Sequence, residues 1–242
     1  MKTSDNPDPT RQHDIIVALD IPTSDTIADI VDSLPDAIRY YKIGLELFVS
    51  AGPQCLAPLT ARGKHIFLDL KLHDIPRTVA RAVTTAARHR VALLTLHAGG
   101  GHAMLKAAAD AAAACGPDAP KLLAVTTLTS LDQNDLAQLG VQRPLKEHTL
   151  ALGKMAVDAG IDGLVCSVHE AAAFRETLGA GPLLVTPGIR PAGAEVGDQK
   201  RVATPADAIR AGADFLVVGR PILESPDPAA AAAEILEQMR QA

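Results

Sequence analysis

The 242-residue chain is poor in aromatic side chains, with no Trp, two Tyr and four Phe. Proteins that hold nucleic acids stack bases on such rings and carry clusters of Lys and Arg. The sequence has no basic block, and its net charge of −5 is mildly acidic. We therefore expect no nucleic-acid partner.

Long apolar runs are also missing, since no stretch approaches the roughly 20 residues that a membrane span needs. Residues 1–13 are polar and contain two prolines, which predicts a loose N-terminal tail rather than a signal sequence. The three cysteines, Cys55, Cys115 and Cys166, lack the paired spacing of zinc sites or disulfides. We expect no membrane partner and, by default, a reducing, cytoplasmic setting.

Short runs rich in Val, Ile and Leu alternate with longer helix-like stretches, a pattern typical of parallel βαβ construction. Eight such runs are predicted as strands: 15–20, 38–43, 65–71, 92–97, 122–127, 163–166, 183–186 and 215–218. Helix starts are indicated at Thr204-Pro205 and Asp227-Pro228, and helix stops at three glycines, Gly160, Gly179 and Gly212. The pattern predicts a single α/β domain over 14–242, a closed (β/α)8 TIM barrel.

An open doubly wound sheet is the alternative fold. Such sheets usually carry a Gly-rich nucleotide fingerprint after the first strand, but residues 20–24 read Asp-Ile-Pro-Thr-Ser at that place. Two long connections also stand out. The segment 187–203 combines glycines with Arg190, Gln199, Lys200 and Arg201, which favours a lid, and 131–143 has room for a short extra helix.

Polar side chains follow the predicted strands at their carboxyl ends, where barrel enzymes carry their sites. They are Asp20, Lys42, Asp69, Lys71, His97, Thr127, Thr129, Thr186, Arg190 and Arg220, and Gly219 adds a backbone amide. A purely structural role would favour apolar or small residues at most of these places. We therefore predict one polar pocket to which many strands contribute.

The segment 67–79, Phe-Leu-Asp-Leu-Lys-Leu-His-Asp-Ile-Pro-Arg-Thr-Val, places charges at the end of an apolar strand. Asp69 and Lys71 share one face because side chains alternate along a strand. Together with Lys42 and Asp74 they would form an alternating array that keeps both lysines charged. A fixed ammonium can donate a proton or stabilise an anion. Asp74 could instead cap the helix that begins near Pro76.

A phosphate is the first ligand that the pattern indicates. Loops after the seventh and eighth strands of such barrels often bind phosphate. Here they supply Arg190, Gln199, Arg220 and the backbone amide of Gly219. Gly219-Arg220 alone could also be a surface Arg beside a helix-end glycine.

The segment 67–79 resembles the signature of the orotidine 5′-phosphate decarboxylase family, which converts orotidine monophosphate to uridine monophosphate in pyrimidine biosynthesis. Six further segments are similar to the family in the same order: 18–20, 41–44, 128–130, 186–190, 198–201 and 218–222. The similarity spans about residues 15–236, and it implies a barrel decarboxylase that is a homodimer without cofactor or metal.

The resemblance also implies roles for the charged residues. Lys71 corresponds to the general acid that delivers a proton to C6 of the pyrimidine, and Asp69 to the residue set against the substrate carboxylate. Asp74 corresponds to a residue supplied to the partner's site in the dimer. Asp20 and Lys42 correspond to contacts with the ribose hydroxyls, and Lys42 also joins the array.

The remaining implied contacts concern the base, the ribose and the phosphate. Thr129 corresponds to a pyrimidine contact, and Thr78 to a ribose contact across the dimer. The implied phosphate contacts are Gln199, Arg220, the Gly219 amide and Arg190.

Two other functions are weighed against this one. Metal-dependent decarboxylases and aldolases of sugar phosphates share Asp69, Lys71 and Asp74, but they place an acidic metal ligand where this chain has Lys42, which argues against a magnesium site. A noncatalytic phosphate-binding barrel would show erosion of the charged array, and none is seen.

Overall fold

The structure is a computed structural model that describes residues 13–191 and 203–242. Eight parallel strands close into a barrel in chain order, with the first strand paired to both the second and the last. The strands are β1 (Asp14–Leu19), β2 (Tyr40–Gly44), β3 (His65–Leu72), β4 (Leu93–His97), β5 (Lys121–Val125), β6 (Gly163–Val165), β7 (Leu183–Thr186) and β8 (Phe215–Val218). The predicted barrel is confirmed.

Helices follow the strands and surround the barrel. They are α1 (Ile27–Ser33), α2 (Leu45–Ala51), α3 (Ala57–Ala61), α4 (Pro76–Arg88), α5 (Gly101–Ala114), α6 (Gln133–Gln138), α7 (Leu145–Asp158), α8 (Val168–Leu178), α9 (Pro205–Arg210), α10 (Arg220–Leu223) and α11 (Pro228–Arg240). Short 3₁₀ helices lie at Gly52–Leu56, Ala98–Gly100 and Gly116–Asp118. Within the described ranges, no helix has the length and hydropathy to cross a membrane.

The helix starts and stops predicted from the sequence are confirmed. Thr204 Oγ1 accepts the amide hydrogen of Asp207 at the start of α9, and the Asp227 carboxylate caps α11 in the same way. Gly160 follows α7 with φ +93°, a left-handed conformation that glycine adopts without a steric penalty. The helix expected within 131–143 is α6, whose first turn is capped by Asp132.

The core has two parts because side chains alternate along each strand. One face of each strand packs outward under the helices, as Val17 and Leu19 do in β1. The other face fills the barrel interior with a smaller cluster made of Ile16, Ala18, Phe67, Leu93, Leu123, Val185, Phe215 and Val217. This inner cluster fills the barrel beneath the carboxyl ends of the strands and forms the floor of the space above it.

Two predicted features fall largely outside the described residues. Gln199 and most of the predicted lid, 187–203, lie there, and so do residues 1–12 of the predicted tail 1–13. The two sides of the lid segment meet at its base, where Ile189 and Ala203 form a parallel bridge. His13 contacts the carbonyl oxygen of Ala213 through Nδ1 at 2.9 Å. The lid and the tail remain predictions.

Candidate active site

A pocket of about 470 Å³ opens at the carboxyl ends of the strands. Its lining residues are Ala18, Asp20, Lys42, Phe67, Asp69, Lys71, Val125, Thr127, Leu128, Thr129, Val165, Pro187, Gly188, Arg190, Val217, Gly219, Arg220 and Glu224. Apolar side chains of the inner cluster form its floor, whereas charged and hydroxyl side chains form its walls. The single polar pocket predicted from the strand ends is therefore present.

Four charged side chains alternate in sign along one wall of the pocket. Lys42 Nζ lies 2.7 Å from Asp20 Oδ1 and 3.9 Å from Asp69 Oδ2. Lys71 Nζ lies 2.9 Å from both carboxylate oxygens of Asp69. The side chains of Lys42 and Asp69 are only 11% and 13% exposed. Each buried charge thus contacts an opposite charge, as charges in a low-dielectric site require.

Lys71 has an unusual backbone conformation, with φ +50° although it is not a glycine. The pairing of β3 with β4 also shifts between Leu68 and Leu72. A left-handed residue of this kind costs about 1–3 kcal/mol and persists only where its surroundings hold it. The strand alternation on which the prediction relied is therefore interrupted at Lys71, yet its ammonium still reaches the Asp69 carboxylate.

Thr95 stabilises this interruption of the strand, although the sequence patterns did not indicate Thr95 as a site residue. Its side chain is fully buried on β4. Thr95 Oγ1 accepts the amide hydrogen of Lys71 and donates to Asp69 Oδ1, with both distances 2.9 Å. One hydroxyl therefore fixes both the backbone of Lys71 and the carboxylate that faces it. The sequence feature that could have indicated Thr95 is its hydroxyl side chain in the middle of the apolar run 92–97.

Gly44 gives the lysine at the end of β2 the space that it needs. A Cβ at this position would lie 3.0 Å from Lys42 Nζ and 3.5 Å from Asp20 Oδ1. Any larger residue would crowd the Lys42–Asp20 ion pair. From the sequence, Gly44 was indicated only as a member of segment 41–44, which resembles the corresponding segment of the family.

Asp74 and Thr78 do not join the pocket of their own chain. Both are exposed, and between them Ile75 keeps 66% of its surface accessible. The Asp74 carboxylate accepts the amide hydrogen of Ile75 at 2.6 Å, and Ile75 is the residue that precedes α4. Across residues 13–191 and 203–242, no ion pair links Asp74 to Lys42 or Lys71. In one chain, Asp20 completes the array that the sequence assigned to Asp74.

Donor groups gather on the opposite side of the pocket, after β7 and β8. Arg190, Gly219 and Arg220 all line it there. Gly219 lies against β1, since a Cβ there would be 3.4 Å from the Cβ of Ala18. Two guanidinium groups beside an open backbone amide suit a dianionic phosphate. Glu224 also lines this region and was not predicted.

Two histidines lie beside the array at the ends of β3 and β4. The rings of His73 and His97 have centroids 5.3 Å apart. Burial lowers the pKa of His97, and the neighbouring His73 and Lys71 lower it further. This environment therefore favours the neutral form of the His97 imidazole. The 3₁₀ turn Ala98–Gly100 and the start of α5 at Gly101 follow it.

The arrangement of charges bears on whether a divalent cation could bind. In the parts of the chain that the structure describes, no three His, Cys, Asp or Glu side chains form a group suited to a metal ion. The ammonium of Lys42 occupies the place between Asp20 and Asp69 where a cation would have to sit. Two ammonium groups and two carboxylates give the array a formal charge of zero, so it holds no excess negative charge for Mg²⁺.

Comparisons with known proteins agree with this geometry. A family model described as "Orotidine 5'-phosphate decarboxylase / HUMPS family" matches residues 13–235. Two relatives named orotidine 5′-phosphate decarboxylase are similar over nearly their full length. The protein from Anaeromyxobacter sp. (strain K) is 51% identical over 91% of this chain and 96% of its own, and that from Opitutus terrae is 48% identical over 94% and 98%.

A solved structure supports the same relationship. The crystal structure of orotidine 5′-phosphate decarboxylase from Lactobacillus acidophilus superimposes with a TM-score of 0.84 at 39% identity, and the match covers 94% of this chain and 99% of that one. The residues that the family model matches include all eight strands and every strand end that lines the pocket. The chain belongs to the orotidine 5′-phosphate decarboxylase / HUMPS family.

Proposed function

We propose that this chain decarboxylates orotidine 5′-phosphate to uridine 5′-phosphate and CO₂ in de novo pyrimidine biosynthesis, with Lys71 as the proton donor to C6. Its relatives of about 50% identity carry the name of this carboxy-lyase. The observation that carries the proposal is the Asp20–Lys42–Asp69–Lys71 array, which lies in one pocket with the guanidinium groups of Arg190 and Arg220.

The chemistry explains why such an array is useful. Loss of CO₂ from C6 leaves an electron pair in the plane of the ring, where no neighbouring carbonyl group can delocalise it. Stabilisation must then come from a charge that is already in place before the reaction. Lys71 Nζ, held 2.9 Å from both oxygens of Asp69, is a fixed ammonium that can face this carbanion and then protonate it. The transfer leaves a C6–H bond and a neutral lysine amine, which regains its proton from solvent.

Asp69 would serve the reaction in two ways. Its carboxylate positions Lys71, and it accepts a hydrogen bond from the fully buried Thr95, which limits its movement. The same carboxylate would face that of the bound substrate. As CO₂ leaves, this like-charge contact disappears and the attraction of Lys71 for the carbanion grows, so the array favours the transition state over the ground state.

The phosphate would bind at Arg190, Arg220 and the Gly219 amide, with Gln199 as a further predicted contact outside the described residues. The phosphate is remote from C6, so its binding energy is available to order the segment 187–203 over the substrate. Asp20 and Lys42 would contact the ribose hydroxyls between the two ends, and Thr129 would contact the pyrimidine.

The central experiment is a decarboxylation assay without added cofactor and with a chelator present. We expect the pyrimidine absorbance of orotidine 5′-phosphate to fall at the full rate, because Lys42 replaces a metal between Asp20 and Asp69. Dependence of the rate on Mg²⁺ would instead favour a metal-dependent decarboxylase or aldolase of sugar phosphates. Tight phosphate binding without turnover would favour a noncatalytic barrel.

Lys71→Ala tests the assigned proton donor. An ammonium about 4 Å from a carbanion is worth roughly 4 kcal/mol at an effective dielectric constant near 20, which is roughly a 1,000-fold effect on rate. Loss of proton delivery adds to this. We therefore expect kcat/KM to fall by at least about 1,000-fold, whereas the exposed Lys154→Ala on α7 keeps full activity. Wild-type turnover by Lys71→Ala would rule out the role.

Arg220→Ala, alone and combined with Gln199→Ala, tests the phosphate contacts. These variants should lose kcat/KM with orotidine 5′-phosphate but keep the small residual activity on the free nucleoside orotidine, because the nucleoside has no phosphate to bind. Arg210→Ala on α9, an exposed arginine paired with Asp207 three residues before it, is the matched control. Equal losses on both substrates would contradict a phosphate site at Arg220.

We also propose a homodimer in which Asp74 and Thr78 reach the partner's site. Supporting this, both residues and the apolar Ile75 are exposed at the start of α4, and Asp74 makes no ion pair with the array of its own chain in the described residues. A carboxylate from the partner would add a second negative charge near Lys71. Mixing inactive Lys71→Ala and Asp74→Ala chains should restore part of the activity, because one mixed site then has both groups. Two sites that use only their own residues would stay inactive.

We expect the enzyme to work in the cytoplasm. Its three cysteines are free thiols, Cys55 and Cys166 are buried, and burial raises the pKa of both. Free thiols fit a reducing compartment. Fractionation of cells that produce the protein should recover the activity with the cytoplasmic enzymes.

A further inference from the structure

Two threonine hydroxyls meet behind the pocket wall at the end of β5. Thr149 lies on α7, and Thr127 follows β5 by two residues; their Oγ1 atoms are 2.8 Å apart. Thr149 is fully buried and Thr127 is 5% exposed. Only Thr127 lines the pocket. Helix α7, which lies outside the barrel, thus contacts the pocket wall through this hydrogen bond.

The pair holds more hydroxyl hydrogens than its one bond uses. Each threonine has one O–H hydrogen, and a single O–H···O bond takes one of the two. In the ranges 13–191 and 203–242, neither hydroxyl makes another hydrogen bond. A buried donor without an acceptor is costly, so the second hydrogen belongs where a ligand or water can accept it. That place is the pocket, which means that Thr149 donates to Thr127 and the Thr127 hydrogen faces the ligand.

The position of β5 in the barrel indicates which part of a ligand this hydrogen meets. In a ring of eight strands, β8 lies opposite β4, and β4 adjoins both β3 and β5. A ligand whose phosphate binds after β7 and β8 therefore extends its other end toward β3 and β5. That end of orotidine 5′-phosphate is the pyrimidine ring, whose carbonyl oxygens are hydrogen-bond acceptors.

We propose that Thr127 donates a hydrogen bond to a carbonyl oxygen of the pyrimidine, and that Thr149 is a positioning residue that fixes this donor. The proposal rests on the proposed function, because it requires a pyrimidine nucleotide in the pocket. Thr149 acts by occupying one lone pair of Thr127 Oγ1, which leaves the Thr127 hydrogen only the direction of the base. Without it the Thr127 hydroxyl can rotate away.

The affinities for uridine 5′-phosphate and ribose 5-phosphate, measured side by side, isolate the contribution of the base to binding. Both carry the phosphate and the ribose, but only the first has a pyrimidine. We expect Thr149→Val, which keeps the shape of the side chain, to weaken binding of uridine 5′-phosphate by about 3- to 10-fold, the range of one neutral hydrogen bond. Binding of ribose 5-phosphate should not change. Thr149→Ser keeps the hydroxyl and should restore most of the affinity.

A double-mutant cycle tests the coupling. Thr127→Val should weaken the binding of uridine 5′-phosphate at least as much as Thr149→Val does, because it removes the hydrogen-bond donor itself. The double variant should lose little more than Thr127→Val alone, since Thr149 acts only through Thr127. Thr60→Val on α3, an exposed helix threonine bonded to the carbonyl of Leu56, is the control for a hydroxyl lost from a helix.

Different results would contradict the roles of the two threonines and the proposed function. Equal weakening of both ligands by Thr149→Val, or additive losses in the double variant, would overturn the inference. If Thr149→Val fails to fold, Thr127→Val still tests whether Thr127 is the hydrogen-bond donor, and Thr149→Ser still tests whether the hydroxyl of residue 149 positions it. If the wild-type protein bound uridine 5′-phosphate no better than ribose 5-phosphate and did not decarboxylate, the proposed function itself would fail.

Discussion

Replacing Thr95 by Val removes one hydroxyl and changes little else in shape. That hydroxyl accepts the Lys71 amide hydrogen and donates to Asp69 Oδ1, each at 2.9 Å, in a fully buried position. A buried amide hydrogen without a partner costs about 1–3 kcal/mol, and a hydrogen bond to a charged group is worth about 1.5–3 kcal/mol. The two effects share one hydroxyl and are not additive. We expect the free energy of unfolding to fall by about 2–4 kcal/mol.

The effect on activity should exceed what the lost stability explains. Lys71 keeps its left-handed φ of +50° while Thr95 holds its amide, and release would let the end of β3 relax toward a regular strand. A displacement of about 1 Å at a reacting group can cost roughly 100-fold in rate. We therefore expect kcat to fall by about 10- to 100-fold at a temperature where the variant is fully folded.

Urea unfolding followed by circular dichroism gives the stability, and the decarboxylation assay gives kcat and KM. Thr95→Ser keeps the hydroxyl and should recover most of the activity. Thr177→Val on α8, whose exposed hydroxyl donates to the carbonyl of Ala173, should match the wild type in both measurements. An unchanged kcat in a folded Thr95→Val protein would refute the reasoning that Thr95 positions the array.

Three further predictions concern stability. Asp214→Ala removes the buried carboxylate that lies 2.7 Å from Arg175, whose side chain is 16% exposed, and should cost about 3–5 kcal/mol of unfolding free energy in urea; a loss below about 1 kcal/mol would contradict a structural ion pair. Gly153→Ala should destabilise the protein by about 1–3 kcal/mol, because its Cβ would lie 2.2 Å from Phe174, and a gain in melting temperature would show that the core adjusts. His97 has a lowered pKa in the fold, so below about pH 6.5 the unfolded chain takes up a proton that the folded chain does not. The unfolding free energy should therefore fall as the pH drops below about 6.5, less steeply in His97→Gln, and parallel curves for the two proteins would count against this.

Much of the fold could be read from local patterns. The predicted run 183–186 coincides with β7, and 215–218 coincides with β8. These strands are apolar on both faces because one face meets the helices and the other fills the barrel, so each appears as a continuous run. The helix boundaries at Thr204 and Asp227 depend on capping bonds that span only three residues, which is why the sequence alone reveals them.

Much of the candidate site could also be predicted, since strand ends carry barrel sites and charged residues are unusual there. Asp69 and Lys71 were identified because they interrupt an apolar strand. Thr95 and Gly44 were missed as site residues, because a threonine or a glycine in a strand looks ordinary by itself. The importance of Thr95 lies in its bond to Asp69, 26 residues away along the chain, and that of Gly44 in the Lys42–Asp20 ion pair beside it, which a local pattern does not reveal.

Short-range periodicity and the chemistry of single side chains were enough to predict the barrel, the strand ends and the residue types of the pocket. The order of the charges along the pocket wall, the left-handed backbone of Lys71 and the Thr149–Thr127 bond became visible only in the folded barrel. Each of these depends on at least one contact of 2.7–3.9 Å between residues that are far apart in the chain. Such distances are set by how the closed barrel packs, and no local pattern encodes them.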